Sequence, residues 1–259
     1  MEVPVNTFKR ALQAGGRQIG LWCSLSNHYA IEVVAGAGFD WLLVDTEHSP
    51  NELDMVLSQL QAVAPYPTHP VVRVPWNDMV TIKRFLDIGA QTLLIPYVQN
   101  RQEAMNAVSY TRYPLEGLRG LAGTTRATRF GRVKDYARRA HQELCVLVQI
   151  ETQTALDNLE EIASVDGLDG VFIGPADLHA SLGYAGETAH PKVKPLIDDA
   201  IGRICKSGKA PGILTTVEAD AKHWLELGCQ FVAVGADVNI LARETEKLAA
   251  KFKSGLDAR

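Results

Sequence analysis

Leu144-Cys-Val-Leu-Val-Gln-Ile-Glu151 and Val171-Phe-Ile-Gly-Pro-Ala-Asp177 each read as an apolar strand that ends in a carboxylate. Two such strands in succession build a poor core. They suit the rim of a parallel sheet, where one hard divalent cation could be held. Working outward, short β-branched runs alternate with helical patterns along the whole chain. The runs predict strands over 18–24, 41–45, 70–74, 92–96, 145–150, 169–173, 211–214 and 230–234. Eight nearly continuous apolar strands, buried on both faces, fit a closed (β/α)₈ TIM barrel. Between them, Met79, Ile82, Phe85 and Leu86 line one helical face after an Asn77 cap, and Gly89 ends that helix. Leu156, Leu159, Ile162 and Ala163 form a second stripe, and Trp224 and Leu225 a third before Gly228.

A chain of 259 residues suits one such barrel, and no linker, low-complexity tract or charge block divides it, so 1–259 reads as one domain. The net charge of −4 argues against nucleic acid or an anionic membrane as partner. Cys23, Cys145, Cys205 and Cys229 are scattered without metal-ligand spacing, and the first residues lack a signal peptide's apolar segment. No apolar stretch approaches a membrane span. These features predict a reduced, cytoplasmic protein. The stretch from Tyr97 to Glu143 is too long for a simple helical return, and its Gly- and Arg-rich middle reads as functional. The final helix, from about Val238 to Lys253, carries Leu241, Leu248, Ala249 and Phe252 for packing on its own barrel or on a neighbour.

Active sites of such barrels lie at the C-terminal ends of the strands. Those ends gather Asp45, Glu47, His48, Arg73, Gln149, Glu151, Gly174, Pro175, Asp177 and Thr215. Glu151 and Asp177 either cap the helices that follow or share a metal. With no Cys or His beside them, their oxygen donors favour Mg²⁺ or Mn²⁺ over zinc. Asp45 and His48 are spaced for an acid–base pair, in which the carboxylate fixes the imidazole tautomer; alternatively His48 only bonds its own turn. Arg73, inside an apolar strand, either forms a buried pair with a carboxylate such as Asp45 or aims a fixed cation at an oxygen that becomes negative. His179 borders the Asp177 turn. Arg126, Arg129 and Arg132, and the helix start at Gly235-Ala-Asp237, are weaker candidates for an anion. Lys83, Lys134, Lys194 and Lys222 fall in helices or loops, so no lysine is placed for a Schiff base.

The strings Leu42-Leu-Val-Asp-Thr-Glu-His-Ser-Pro50, Val72-Arg-Val-Pro-Trp-Asn77, Phe85-Leu-Asp-Ile-Gly-Ala-Gln-Thr-Leu-Leu-Ile-Pro96, Val148-Gln-Ile-Glu-Thr152, Gly170-Val-Phe-Ile-Gly-Pro-Ala-Asp-Leu178 and Phe231-Val-Ala-Val-Gly235 span most of the chain. Together they resemble the HpcH/HpaI family of metal-dependent pyruvate aldolases. The likeness is to the 4-hydroxy-2-oxoheptanedioate and 2-keto-3-deoxy sugar-acid branch rather than the citryl- and malyl-CoA lyases. It implies a barrel of the phosphoenolpyruvate/pyruvate type, with the last helix exchanged between subunits of a homo-hexamer built from dimers. It also implies Glu151 and Asp177 as ligands of Mg²⁺, Mn²⁺, Co²⁺ or another divalent ion, with Gln149 beside them. His48 and Asp45 would form the acid–base dyad, and Arg73 would meet the enolate oxygen. Gly174, Pro175 and Ala176 would hold the pyruvate carboxylate, and Asp87 would reach a neighbouring subunit's site. Departures from the family's pattern fall at Gly123–Gly131, His179 and Thr215-Thr216, where they bear on the specificity for the aldehyde or acid.

The expected reaction is reversible cleavage of a 4-hydroxy-2-oxo acid. A divalent ion held by Glu151 and Asp177 would supply Lewis acidity toward its carboxylate and keto oxygens, His48 would take the C4 hydroxyl proton, and the C3–C4 bond would break to give an aldehyde and pyruvate enolate. The alternatives are a metal-dependent hydrolase on the same barrel and a CoA-thioester lyase of the citryl or malyl type. A binding barrel without turnover is a further one.

Overall fold

The computed structural model describes residues 1–187 and 189–254, and within them eight parallel strands close into a barrel. The first half runs α1 (Thr7–Gln13), β1 (Gln18–Cys23), α2 (His28–Ala35), β2 (Trp41–Asp45), α3 (Leu53–Val63), β3 (His69–Arg73), α4 (Met79–Asp87) and β4 (Thr92–Ile95). The long connection that follows holds α5 (Arg101–Thr111) and α6 (Tyr136–Glu143), with irregular backbone between them. The second half runs β5 (Cys145–Ile150), α7 (Gln153–Asp157), α8 (Leu159–Ala163), β6 (Gly170–Ile173), α9 (Pro175–Ser181) and α10 (Lys194–Lys206). It ends with β7 (Ala210–Leu214), α11 (Glu218–Leu227), β8 (Phe231–Ala236) and α12 (Asp237–Lys253). Each predicted strand is present with its ends within two residues, and β8 returns to pair with β1.

Alternation along the strands sorts their side chains into two cores. Leu42, Val44, Val72, Val146, Val148 and Val232 face outward and pack with the helices. Trp22, Trp41, Leu43, Val71, Leu147 and Phe231 face inward and fill the barrel, with Phe8 of α1 added from below. Phe8 stands 5.8 Å from both Trp41 and Phe231, so aromatic rings close the N-terminal mouth. The inward parity of β2, β3 and β5 then arrives at Asp45, Arg73 and Gln149, and all three are buried. The inner row thus turns from apolar to polar at its C-terminal layer.

Local chemistry accounts for the departures from the sequence reading. Asp78, not Asn77, caps α4: its carboxylate accepts from the Thr81 amide at 2.8 Å, whereas Asn77 donates to the Glu103 carbonyl at 2.9 Å. The stripe from Leu156 to Ala163 is split between α7 and α8 at Asn158. Gly228, at φ +116°, ends α11 in a backbone conformation that favours glycine. In α12 only Asp237 is buried, while Val238, Ile240, Leu241, Leu248 and Phe252 are exposed. Within the described residues, no helix is long and apolar enough to cross a membrane.

Gly20 of β1 lies against the buried Trp41 indole, where an added Cβ would overlap the ring. Neither the strand nor the packed ring can yield cheaply, so Gly20→Ala is expected to cost about 1–3 kcal/mol in urea unfolding. An unchanged midpoint would show that the inner layer is looser than this packing implies.

Candidate active site

Asp45 ends β2 and pairs in register with Arg73 of β3. Arg73 grips its carboxylate in bidentate fashion, Nε donating to Oδ1 at 2.9 Å and Nη2 to Oδ2 at 2.7 Å. Trp22 Nε1 donates to Oδ2 at 3.1 Å, and the amides of Glu47 and His48 donate to Oδ1 at 3.1 and 3.4 Å. Burial opposes the charge on Asp45, yet the bonds and charge of Arg73 hold its carboxyl below the usual range. The remaining arm of Arg73, Nη1, lies 2.8 Å from Glu47 Oε2.

The expected Asp45–His48 dyad is therefore not formed within this chain. Asp45 bonds the backbone of the turn, which curls around it and leaves the His48 side chain 63% exposed. The carboxylate beside the imidazole is that of Glu47, 3.9 Å from Nε2. Arg73 forms the buried ion pair with Asp45 that one reading expects, and its remaining arm pairs with Glu47.

At the end of β5, Glu151 is buried. Its Oε1 accepts from the Tyr97 amide at 2.8 Å, and Oε2 accepts from the Gln149 side-chain amide. Tyr97 sits at φ +57°, a strained conformation for a bulky residue, as it delivers that amide. A Cβ at Gly174 would fall 2.5 Å from Glu151 Oε2, so the glycine makes room for the carboxylate. Asp177 lies in the first turn of α9 and is exposed. The Gly174 amide is spent on the Ile150 carbonyl at 3.0 Å, and Pro175 has no N–H. Of the three residues expected to hold a carboxylate, Ala176 alone has an amide in the unpaired first turn of the helix.

Burial first, and then the neighbouring charges of Glu47 and Asp177, push the Glu151 carboxyl up to about 7 despite the Gln149 bond. Glu47 is pushed up to about 7 as well, by burial first and by the charges of Asp45 and Asp177, against the opposing pull of Arg73. These side chains are oxygen donors whose mutual repulsion an added cation would relieve, and the Gln149 Oε1 is buried without a partner among the described residues. The group fits a hard divalent ion. Among the described residues, no three His, Cys, Asp or Glu side chains come together as a group that could hold a metal ion, so the protein's share of the coordination would be two carboxylates at most.

Other candidates lie elsewhere. Asp87 ends α4, at the opposite face of its own barrel, where Arg119 Nη2 donates to it at 2.9 Å. Arg126 donates to the Ile88 carbonyl at 2.7 Å and, with Arg129, lines a cavity of about 330 Å³ on that same face. Arg132 bonds the Arg129 carbonyl at 3.2 Å. His179 is buried, with Nδ1 2.6 Å from the Pro175 carbonyl and Nε2 accepting from the His190 amide at 3.3 Å. The start of α12 is taken by its own Asp237, which accepts from the amides of Ser24 and Leu25 at 2.8 and 3.2 Å. Glu47 and Trp22 are the site residues to which sequence reasoning gives no role. The signal for Trp22 was its inward parity at the end of β1.

Fold and rim together define a (β/α)₈-barrel enzyme with an acidic C-terminal mouth and one buried arginine beside it. The HpcH/HpaI aldolase/citrate lyase family profile matches residues 18–243, and the chain belongs to that family. It is 61% identical over 252 residues to a pyruvate aldolase of Rhizobium etli, covering 97% of this chain and 99% of that one. It is 59% identical to a 4-hydroxy-2-oxo-heptane-1,7-dioate aldolase of Salmonella typhi, over 95% of this chain and 94% of that one. The crystal structure of an HpcH/HpaI aldolase/citrate lyase family protein from Burkholderia cenocepacia superposes with a TM-score of 0.92 at 39% identity, covering 96% of this chain and all of that one.

The raised carboxyls fix a sign for stability. The folded, ion-free chain keeps protons on Glu47 and Glu151 up to about pH 7, while the unfolded chain releases them near 4.5. The folded state binds more protons in that window, so its stability falls as pH rises through it. With chelator present, Glu151→Gln is expected to reduce the loss of melting temperature between about pH 5 and pH 7. Equal losses in both proteins would contradict the assignment.

Proposed function

We propose that this protein is a divalent-metal-dependent class II aldolase, a lyase that reversibly cleaves 4-hydroxy-2-oxo acids to pyruvate and an aldehyde. The observation that carries the reading is the pair of half-protonated rim carboxyls, Glu47 and Glu151, within electrostatic reach of each other and of Asp177, with Arg73 Nη1 on Glu47. The names of the two aldolase relatives support the same reaction class.

Glu151 and Asp177 would hold the ion, with Mg²⁺ or Mn²⁺ suited to their oxygens and Co²⁺ a further option. When bound, the ion supplies Lewis acidity toward the carboxylate and 2-oxo oxygens of the substrate. His48, exposed at the rim, takes the proton of the C4 hydroxyl. As the C4 carbonyl forms, the C3–C4 bond breaks and its electron pair moves to the C2 oxygen of a pyruvate enolate. Arg73 Nη1 turns its charge toward that oxygen, while its other donors stay on Asp45. Asp45 is thus assigned to orient Arg73 rather than His48. The Ala176 amide accompanies the pyruvate carboxylate, and Gln149 keeps the Glu151 carboxylate in place. Protonation at C3 releases pyruvate.

Asp87, turned away from its own site, would serve a neighbouring subunit. The exposed apolar residues of α12 would be covered by helix exchange within a homo-hexamer. One barrel domain over 1–259, in a reduced cytoplasm, with small oxo acids and aldehydes rather than nucleic acid or membrane as partners, completes the proposal.

A chelator is expected to abolish pyruvate release from 4-hydroxy-2-oxo acids, and Mg²⁺ or Mn²⁺ to restore it. Borohydride with pyruvate should leave activity intact; inactivation by borohydride, or release of acid from esters instead, would contradict the proposal. Arg73→Ala is expected to lower turnover by about 10²–10³, read as pyruvate formed per second. Full turnover in that variant would remove Arg73 from the mechanism.

A further inference from the structure

Trp22 completes the inward row of β1 and touches both members of the buried pair below the rim. Its Nε1 donates to Asp45 Oδ2 at 3.1 Å. The guanidinium carbon of Arg73 lies 4.8 Å from the centroid of its ring. Phe172 of β6 packs against the indole with centroids 5.6 Å apart. Trp22, Asp45, Arg73 and Phe172 are all buried, so none of these contacts is diluted by water.

Trp41, in the layer beneath, is a useful contrast. Its indole N–H reaches only a backbone carbonyl, that of Gln18 at 3.4 Å, and its ring packs on other rings. Trp22 instead bonds a carboxylate and lies against a guanidinium. A guanidinium is planar, so fixing Nε and Nη2 on Asp45 also fixes the direction of Nη1. The Trp22 N–H holds Oδ2 while the turn amides of Glu47 and His48 hold only Oδ1, and the indole face supports the plane of the cation. Without the indole, the Oδ2–Nη2 side of the pair loses its support and the guanidinium plane can tilt, carrying Nη1 off its present contact with Glu47.

We propose that Trp22 is a positioning residue: it orients the Asp45–Arg73 pair so that Nη1 faces the oxygen that becomes negative during reaction. The identity of that oxygen rests on the aldolase reading; the orientation of the pair does not. Trp22→Phe keeps a ring and removes the N–H, whereas Trp22→Leu removes both.

The test has two arms. In a crystal structure of Trp22→Phe, Arg73 Nη1 is expected to have left Glu47 Oε2; an unmoved pair overturns the inference whatever the activity. The second arm follows exchange of the pyruvate C3 protons in D₂O with Mg²⁺ by NMR. Loss of one bond to a charged group is expected to lower kcat about tenfold in Trp22→Phe, with KM little changed, and further in Trp22→Leu. Because Trp22 acts through Arg73, Trp22→Phe is expected to add little in an Arg73→Lys background. Multiplying effects, or full kcat in Trp22→Phe, would mean that the indole only fills the core. Absence of exchange in the wild type would count against the aldolase reading, leaving the crystallographic arm to decide on Trp22.

Discussion

An imbalance of charge at the C-terminal rim governs the rest of this structure. Asp45, Glu47 and Asp177 all act on one small region with Glu151, and Arg73 is committed to two of them. Asp45 is fully matched by its donors and stays ionised. Glu47 and Glu151 are not, and both hold their protons to about pH 7. A barrel that buries carboxylates in this way gives up stability unless something positive joins them. That deficit is the physical meaning of the site.

The barrel makes such a deficit tolerable by separating its layers. Aromatic rings of Phe8, Trp41 and Phe231 fill the lower interior, and an apolar shell of strand and helix residues surrounds it. The charged groups of the site sit at the last inward positions of β2 and β3 or just beyond the strand ends. Strain is local too: Tyr97 takes a left-handed backbone to present its amide to Glu151, and Gly174 omits the side chain that would collide with that carboxylate. Rigid strands thereby hold each functional group, and the connecting segments adjust around them.

Much of this was legible in the residues because a parallel barrel obeys simple periodicity. Apolar runs located the strands, and the polar residues ending them located the mouth. Parity alone puts Asp45, Arg73 and Gln149 on the inner face. What the residues could not convey was which partner each polar group would choose. Asp45 and His48 have suitable spacing, but the turn after β2 uses the Asp45 carboxylate to bind its own amides and points the imidazole outward. Asn77 and Asp78 are both good caps, and the choice between them depended on a contact with Glu103 from another helix. The amide from Tyr97 had no signal at all, since a left-handed tyrosine is not encoded by any turn motif.

Where a divalent cation settles on this barrel decides most. Crystals grown with Mn²⁺ and pyruvate, measured at an energy that gives manganese an anomalous signal, would locate it. The expected result is a single strong peak within coordination distance of both the Glu151 and Asp177 carboxylates, with pyruvate oxygens completing its surroundings. A manganese peak elsewhere, with those carboxylates bound to nothing but protein, would contradict the account.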